Sequence, residues 1–338
     1  LRPGAAVALV FVTNACLMIV ELVASRMIAP RIGVSLYTWT TVIGVMLAGV
    51  SLGNYVGGRL ADRRASAALL GTVYCVGALA CLLILWLNND LHDVIPPVRI
   101  PLLLWVVGYI GGVFFAPSVL FGMVSPIVVK FTISSLQGVG RIVGRIYAAS
   151  ATGSIVGTFA AGFWLIAWLG TKMVVLAVAS LLLVLGIGIM VARRDGLARR
   201  RVTADDALAL ALFAGGVCIL GREGFLRSEC LRETNYFCIN VSVSEVEGRE
   251  VHELILDRLV HSYTDLNDPT HLGYGYERTY ADMIRPIAER RPNLEALFIG
   301  GGGYTFPRYL EATLPESHLV VAEIDPGVTE VAHERLGL

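Results

Sequence analysis

An α-helical membrane bundle followed by a smaller α/β unit is the fold class this sequence predicts, and three observations carry it. The composition is 55% hydrophobic and 16% charged, with a mean hydropathy of +0.68, more apolar and less charged than a soluble globule. Long apolar segments fill positions 1–220, where acids are sparse, whereas both signs of charge mix from Gly221 onward. Near the end, Leu294 to Asp325 reads as strand, glycine turn, helix and second strand, with short apolar runs of strand length broken by glycine.

In chain order the apolar segments are Ala5–Ser25, Tyr37–Gly58, Ala67–Leu87, Pro101–Val129, Ile146–Leu169, Met173–Ala192 and the shorter Ala207–Leu220. A spanning helix needs roughly 20 residues. The first segment carries Asn14 and Glu21 and is followed closely by the second. That sets it apart from a signal peptide, and it is expected to stay in the mature protein. Pro117 and Pro126 interrupt the fourth; each removes a backbone donor, so a kink or break is expected there. The apolar part of the seventh falls short of a roughly 30 Å hydrocarbon core, which leaves six or seven crossings.

Basic residues order the loops. Arg2, then Arg59, Arg63 and Arg64, then Lys130, Arg141 and Arg145, then Arg193, Arg194, Arg199, Arg200 and Arg201 fall on one side if each segment crosses. Arg26, Arg31, Arg99 and Lys172 fall on the other, so the positive-inside rule makes the N-terminus cytoplasmic. Two helices carry small-residue seams, Gly49, Gly53 and Gly57 on one and Ala149, Gly153, Gly157 and Ala161 on the other. Such seams serve close helix packing or the sliding halves of a transporter. Gly57 to Arg64, GGRLADRR, resembles the loop between the second and third helices of major facilitator transporters, although the twelve-helix length of that family is absent.

Glu21 is the acid well inside a segment, with Asn14 about two turns away on roughly the same face. A proton or cation site, an interhelical hydrogen bond and a pairing with Arg26 are the open readings. The six histidines are scattered without metal spacing, and the zero formal net charge points to no nucleic-acid partner. Cys16, Cys75, Cys81 and Cys218 lie in apolar segments as small hydrophobes. Cys230 and Cys238 open the C-terminal part; they would form a disulfide in an oxidising compartment and stay thiols in the cytoplasm.

Candidate chemistry gathers at the end of the chain. Leu294–Ile299 leads into Gly300, Gly301, Gly302 and Gly303, a helix over Thr305–Thr313, and a strand over His318–Ala322 that ends in Glu323 and Asp325. Glycine lets backbone approach a ligand closely, and a carboxylate after the second strand can accept hydrogen bonds from both ribose hydroxyls. The pattern reads as a nucleoside site with Glu323 as sugar ligand, or as a tight turn in an ordinary α/β domain. Thr305 stands where the dinucleotide pattern has its third glycine. Upstream, the alternation in Tyr236–Val246 and Val251–Asp257, joined by Glu247–Glu250, predicts a β-hairpin, and Tyr280–Arg290 a helix.

Leu254–Asp265 (LILDRLVHSYTD), Tyr280–Ile284 (YADMI), Phe298–Gly303 (FIGGGG) and Val320–Ala332 (VVAEIDPGVTEVA) stand in the order seen in spermidine synthases, and the chain resembles them from roughly Arg232 to Leu338. The hydrophobic N-terminal half looks like the membrane-fused bacterial members of that group. The resemblance implies a Rossmann-like methyltransferase core, partial here, behind a small β domain. It also implies a role in polyamine biosynthesis with S-adenosylmethionine or decarboxylated S-adenosylmethionine as cofactor, and the bacterial inner membrane as location. Glu323 matches the family's ribose-holding acid, and Gly300 to Gly303, Asp325 and His261 complete the implied cofactor contacts. The domains expected are a transmembrane part over 1–220, a linker and hairpin over 221–292, and a nucleoside-binding start over 293–338.

Departures from the family bear on activity. His261 stands for its Gln, Tyr280, Ala281 and Asp282 for its Tyr-His-Glu, and Gly303 for the Asp that faces the aminopropyl ammonium. A buried ammonium without a paired acid costs several kcal/mol. The chain also stops at Leu338, ahead of the strand that carries the family's catalytic Asp, so a fragment of a longer product or a degenerate domain is expected. No catalytic residue is assigned. Three functions stay open: a membrane-anchored aminopropyl or methyl transferase that is inactive as given, a non-catalytic subunit docked to other membrane proteins, and a transporter of polyamines or other small cations. An odd number of crossings exports the C-terminal part, whereas a site for cytoplasmic nucleosides favours the inner side, toward which the reading leans.

Overall fold

The structure, a computed structural model, describes residues 3–90, 101–133, 138–192 and 204–338. Arg2, Arg99 and the arginine cluster at 193–201 lie outside the described residues. Packing divides the chain into two units, Leu1–Ile28 with Val34–Ser228, and Ala29–Gly33 with Glu229–Leu338.

Helices make up the first unit: α1 Pro3–Ile32, α2 Leu36–Arg64, α3 Ala67–Asp90, α4 Leu102–Thr132, α5 Val139–Ala160, α6 Ile166–Leu169, α7 Thr171–Ala192 and α8 Ala204–Arg222. A π-helical turn, Ala161–Leu165, joins α5 to α6 in one span. Among the described residues seven helices are long and apolar enough to cross a membrane, so the chain is a multi-pass membrane protein. The seventh span is longer than its apolar core: α8 has 19 residues, about 28 Å at 1.5 Å per residue, because its first turn recruits Asp205 and Asp206. Acids there favour a helix N-terminus. Of the kink or break expected at Pro117 and Pro126, the break does not occur, since α4 runs unbroken through both.

Glycine seams pack these helices. On α2, a side chain at Gly49 would meet Ser118, one at Gly53 the carbonyl of Val119, and one at Gly57 the backbone of Met123, all on α4. Gly122 of α4 returns the contact against Val50. On α5, Gly153 and Gly157 lie against the backbone of Phe11 and Ala15 on α1. Buried polar links add to this: Thr13 and Tyr74 share a 2.7 Å hydrogen bond between α1 and α3, and the Tyr109 hydroxyl donates to Asn88 at 3.2 Å.

The second unit opens with a four-stranded antiparallel sheet in sequential order, β1 Arg232–Glu233, β2 Cys238–Val246, β3 Arg249–Leu256 and β4 Leu259–Thr264. The expected hairpin is present with a tighter turn: Val246 pairs with Arg249, and Glu247 and Gly248 both have positive φ, as a type I′ turn requires. After α9 Gly275–Ala288 come β5 Glu295–Ile299, α10 Thr305–Thr313, β6 His318–Ala322 and α11 Pro326–Arg335. β5 and β6 are parallel and in register from Glu295–His318 to Ile299–Ala322. Among the described residues their sheet is two-stranded, so it is a single strand-helix-strand unit. One core joins Ile239, Leu254 and Leu256 of the first sheet to Val328 and Val331 of α11 and to Leu336, which caps it. A second gathers Leu272, Ala281, Phe306 and Leu310. These two cores hold the glycine turn between them.

Leucine at Gly53 or Gly157 must force the backbones apart, at a cost of about 1–3 kcal/mol or more. Each variant is expected to lower the melting temperature of the detergent-purified chain by several degrees, whereas leucine at Gly108, which has open space around it, leaves it unchanged. Equal melting of all three would mean that the seams are not interfaces.

Candidate functional site

Within the second unit a cavity of about 730 Å³ opens beside the glycine turn, in the roughly 300–1,000 Å³ range of small-molecule sites. Its walls come from Gly300 to Gly303, from His261 and Ser262 of β4, from Tyr276, Glu277 and Tyr280 of α9, and from Phe306 of α10. The strand-turn-helix order delivers the glycines to the mouth, and the first sheet delivers His261 to the same space.

The turn is held by a carboxylate. Glu323 accepts from the Gly301 N–H at 2.6 Å with one oxygen and from the Asp325 N–H at 2.9 Å with the other. The Gly300 N–H continues the sheet onto the Ala322 carbonyl at 2.9 Å. A carboxylate offers roughly four acceptor positions, so two remain for a ligand hydroxyl pair. Glu323 thus meets the turn without being part of the cavity wall. Asp325 has a different place: it is buried, caps α11 by accepting from the Gly327 N–H at 2.9 Å, and accepts from the Thr234 hydroxyl at 2.6 Å. That is a structural role within the fold.

All four glycines are dictated by contact or conformation. Gly300 has φ +92°, in the left-handed region, and Gly302 also has positive φ. A side chain at Gly301 would meet the Tyr304 ring. Gly303 has no room for a side chain, because its Cβ would run into the Ser262 hydroxyl and lie 3.2 Å from that of Thr264. The Ser262 oxygen is itself buried without a hydrogen-bond partner among the described residues. A side chain at 303 therefore requires Ser262 to move, since its Cβ alone would sit 2.7 Å from the Ser262 Cβ.

One residue of the cavity wall escaped the sequence reading. Glu277 is buried and lines the cavity, and burial raises its carboxyl pKa to about 7, with only the Tyr274 N–H at 3.4 Å opposing the shift. Around it Tyr276 and Tyr280 pack edge to face at 5.6 Å and Tyr280 and Phe306 at 5.9 Å. Aromatic faces beside an acid that titrates near neutrality suit a planar heterocycle or an amine, and can exchange a proton. The sequence signal was faint: Glu277 stands three residues after Tyr274, at the capping-box spacing.

Cys230 and Cys238, left open by the sequence, are joined in a disulfide with Cα atoms 5.3 Å apart. It ties the segment before β1 to the start of β2. Among the described residues no group of three His, Cys, Asp or Glu side chains is placed to hold a metal.

The Glu277 shift sets a pH dependence. Its folded-state pKa of about 7 stands above the ordinary 4.5, so the folded unit holds the proton longer than the unfolded chain does. That contribution is complete below 4.5 and is lost as pH rises through 7, by at most about 1.4 kcal/mol per pH unit. Amide protection of α9 in the intact chain, corrected for intrinsic exchange, should fall between pH 5 and pH 8, and Glu277→Gln should flatten the fall; equal slopes in both proteins would place the titration elsewhere. Compared with profiles of known families, with curated proteins and with solved structures, the chain matches none.

Proposed function

We propose that this protein is a membrane-embedded relative of the spermidine synthases whose C-terminal unit binds an adenosine-containing ligand and does not transfer an aminopropyl group. The observation that carries the reading is the Glu323 carboxylate bonded to the Gly301 N–H beside a cavity of about 730 Å³. In this reading β5, α10 and β6 are the opening of a Rossmann-like fold. The two free acceptor positions of Glu323 take the ribose hydroxyls, and Tyr276, Tyr280 and Phe306 flank the base. The cofactor class is S-adenosylmethionine or its decarboxylated form. Transfer to an amine needs an acid against the donor ammonium, and Gly303 abuts Ser262 where that acid would stand. Glu277 is an acid in the same cavity that can take up a proton, yet by itself it fills one of the two required places.

The C-terminal unit is further proposed to face the compartment opposite the arginine-rich loops. Seven candidate spans among the described residues, an arginine-rich side that the positive-inside rule makes cytoplasmic, and the Cys230–Cys238 disulfide support this orientation together. It reverses the lean drawn from the nucleoside site alone.

Two experiments test these statements. Calorimetry with methylthioadenosine on the purified full chain should detect binding that Glu323→Gln weakens about ten- to a hundredfold, while incubation with putrescine and decarboxylated S-adenosylmethionine yields no methylthioadenosine. Undetectable binding in the parent chain would remove the nucleoside site, and product formation would remove the claim of inactivity. For orientation, Arg258→Cys in the exposed turn between β3 and β4, in a chain lacking Cys218, should react with an impermeant maleimide in intact cells. Labelling only after lysis would put the unit in the cytoplasm.

A further inference from the structure

The membrane unit contains a second cavity, of about 780 Å³, between α1, α2, α4 and α5. It lies where the two glycine-packed pairs, α2 with α4 and α1 with α5, face one another. Among the apolar side chains of its wall stand polar ones: Asn14, Asn54, Ser125, Tyr147 and Ser150, with Asp62 and Lys130 at one end. Asp62 and Lys130 stand near the ends of α2 and α4, on the side of the arginine-rich loops. Asn14 lies roughly 15 Å along α1 from Gly4 at 1.5 Å per residue, so the cavity reaches from that surface toward mid-membrane.

These groups are not satisfied by one another. The Asn14 amide donates to the Val10 carbonyl of its own helix at 2.9 Å, which leaves its oxygen unpaired. Asn54, Ser125, Tyr147 and Ser150 make no side-chain hydrogen bond among the described residues. Hydrocarbon cannot supply the missing partners, and an amide or hydroxyl left unpaired there costs several kcal/mol. Acyl chains are therefore the wrong occupant, and water or a polar solute the right one.

Charge narrows the solute. Lys130 Nζ and Asp62 Oδ1 pair at 2.8 Å, and they are the charged side chains of the lining. The site is thus net neutral, and a solute of one sign would take one member of this exposed pair and leave the other without its partner. A molecule with both an ammonium and a carboxylate can instead exchange partners, placing its ammonium on Asp62 and its carboxylate on Lys130. Its remaining polar atoms then meet the amides and hydroxyls deeper in. We infer that this cavity is a binding site for a small zwitterionic solute of the amino-acid type, entered from the arginine-rich side. Glu21, paired with Asn14 in the sequence reading, is not part of this lining. The site stands independently of the nucleoside reading of the C-terminal unit.

The test uses the full chain in lipid vesicles, with Cys16, Cys75, Cys81 and Cys218 replaced by alanine and the disulfide kept. Single cysteines are placed at Asn54, at Ser150, and at Phe159 as a site on α5 outside the cavity. The thiolate reacts only where water solvates it, so the first two should react with a cationic methanethiosulfonate at least about tenfold faster than the third. A panel of neutral amino acids at millimolar concentration should slow the reaction at Ser150 more than twofold for at least one member, with choline and acetate ineffective. Asp62→Asn combined with Lys130→Gln should abolish that protection and leave the labelling rate itself unchanged. Rates equal to that at Phe159 would show a dry crevice and overturn the site. Protection by acetate or choline alone, or by no amino acid, would overturn the zwitterion assignment.

Discussion

Apolar helices gain nothing by leaving lipid for one another, so a membrane bundle depends on how closely its backbones can approach. Among the described residues that approach is concentrated at three places, Gly49, Gly53 and Gly57 against α4, Gly153 and Gly157 against α1, and Gly71 of α3 against Gly186 of α7. Each pair is tight along its seam, and the space between the first two pairs is where Asn14, Asn54, Ser125 and Ser150 collect. Without the seams these polar groups would be distributed over lipid-facing surfaces, where their hydrogen-bonding capacity could not be met.

The C-terminal unit rests on a different device, a carboxylate used as a staple. Glu323 bridges the end of β6 to the turn after β5 by accepting one N–H from each. The same turn is confined from the first sheet by Ser262 and Thr264 against Gly303. A buried acid, Glu277, then completes a cavity that is aromatic on one side and backbone on the other. Bracing and titration are separable here: Glu323 holds the turn, whereas Glu277 stands in the cavity wall.

How much of this was legible in the sequence varied with the length scale of the signal. Hydropathy over twenty residues marks the spans, and glycines four apart mark the seams, because both depend on side-chain type alone. The extra turn of α8 was hidden, since Asp205 and Asp206 lower hydropathy while favouring a helix start. Pro117 and Pro126 signalled a break, yet α4 continues through both, against α2 with its glycines. Strand β1 has two residues and β4 six, too short for alternation to declare them. Glu277 was invisible because its burial is set by how α9 lies on the unit, and a single glutamate near a helix start is ordinarily solvated. The pairing of Cys230 with Cys238 likewise depends on β2 folding back toward β1.

The contact between Gly303 and Ser262 couples two positions that lie far apart in the chain. A side chain at 303 has to displace the buried Ser262 hydroxyl, so tolerance at 303 depends on what occupies 262. Substitutions at the two positions are expected to be non-additive, since each decides the space left for the other.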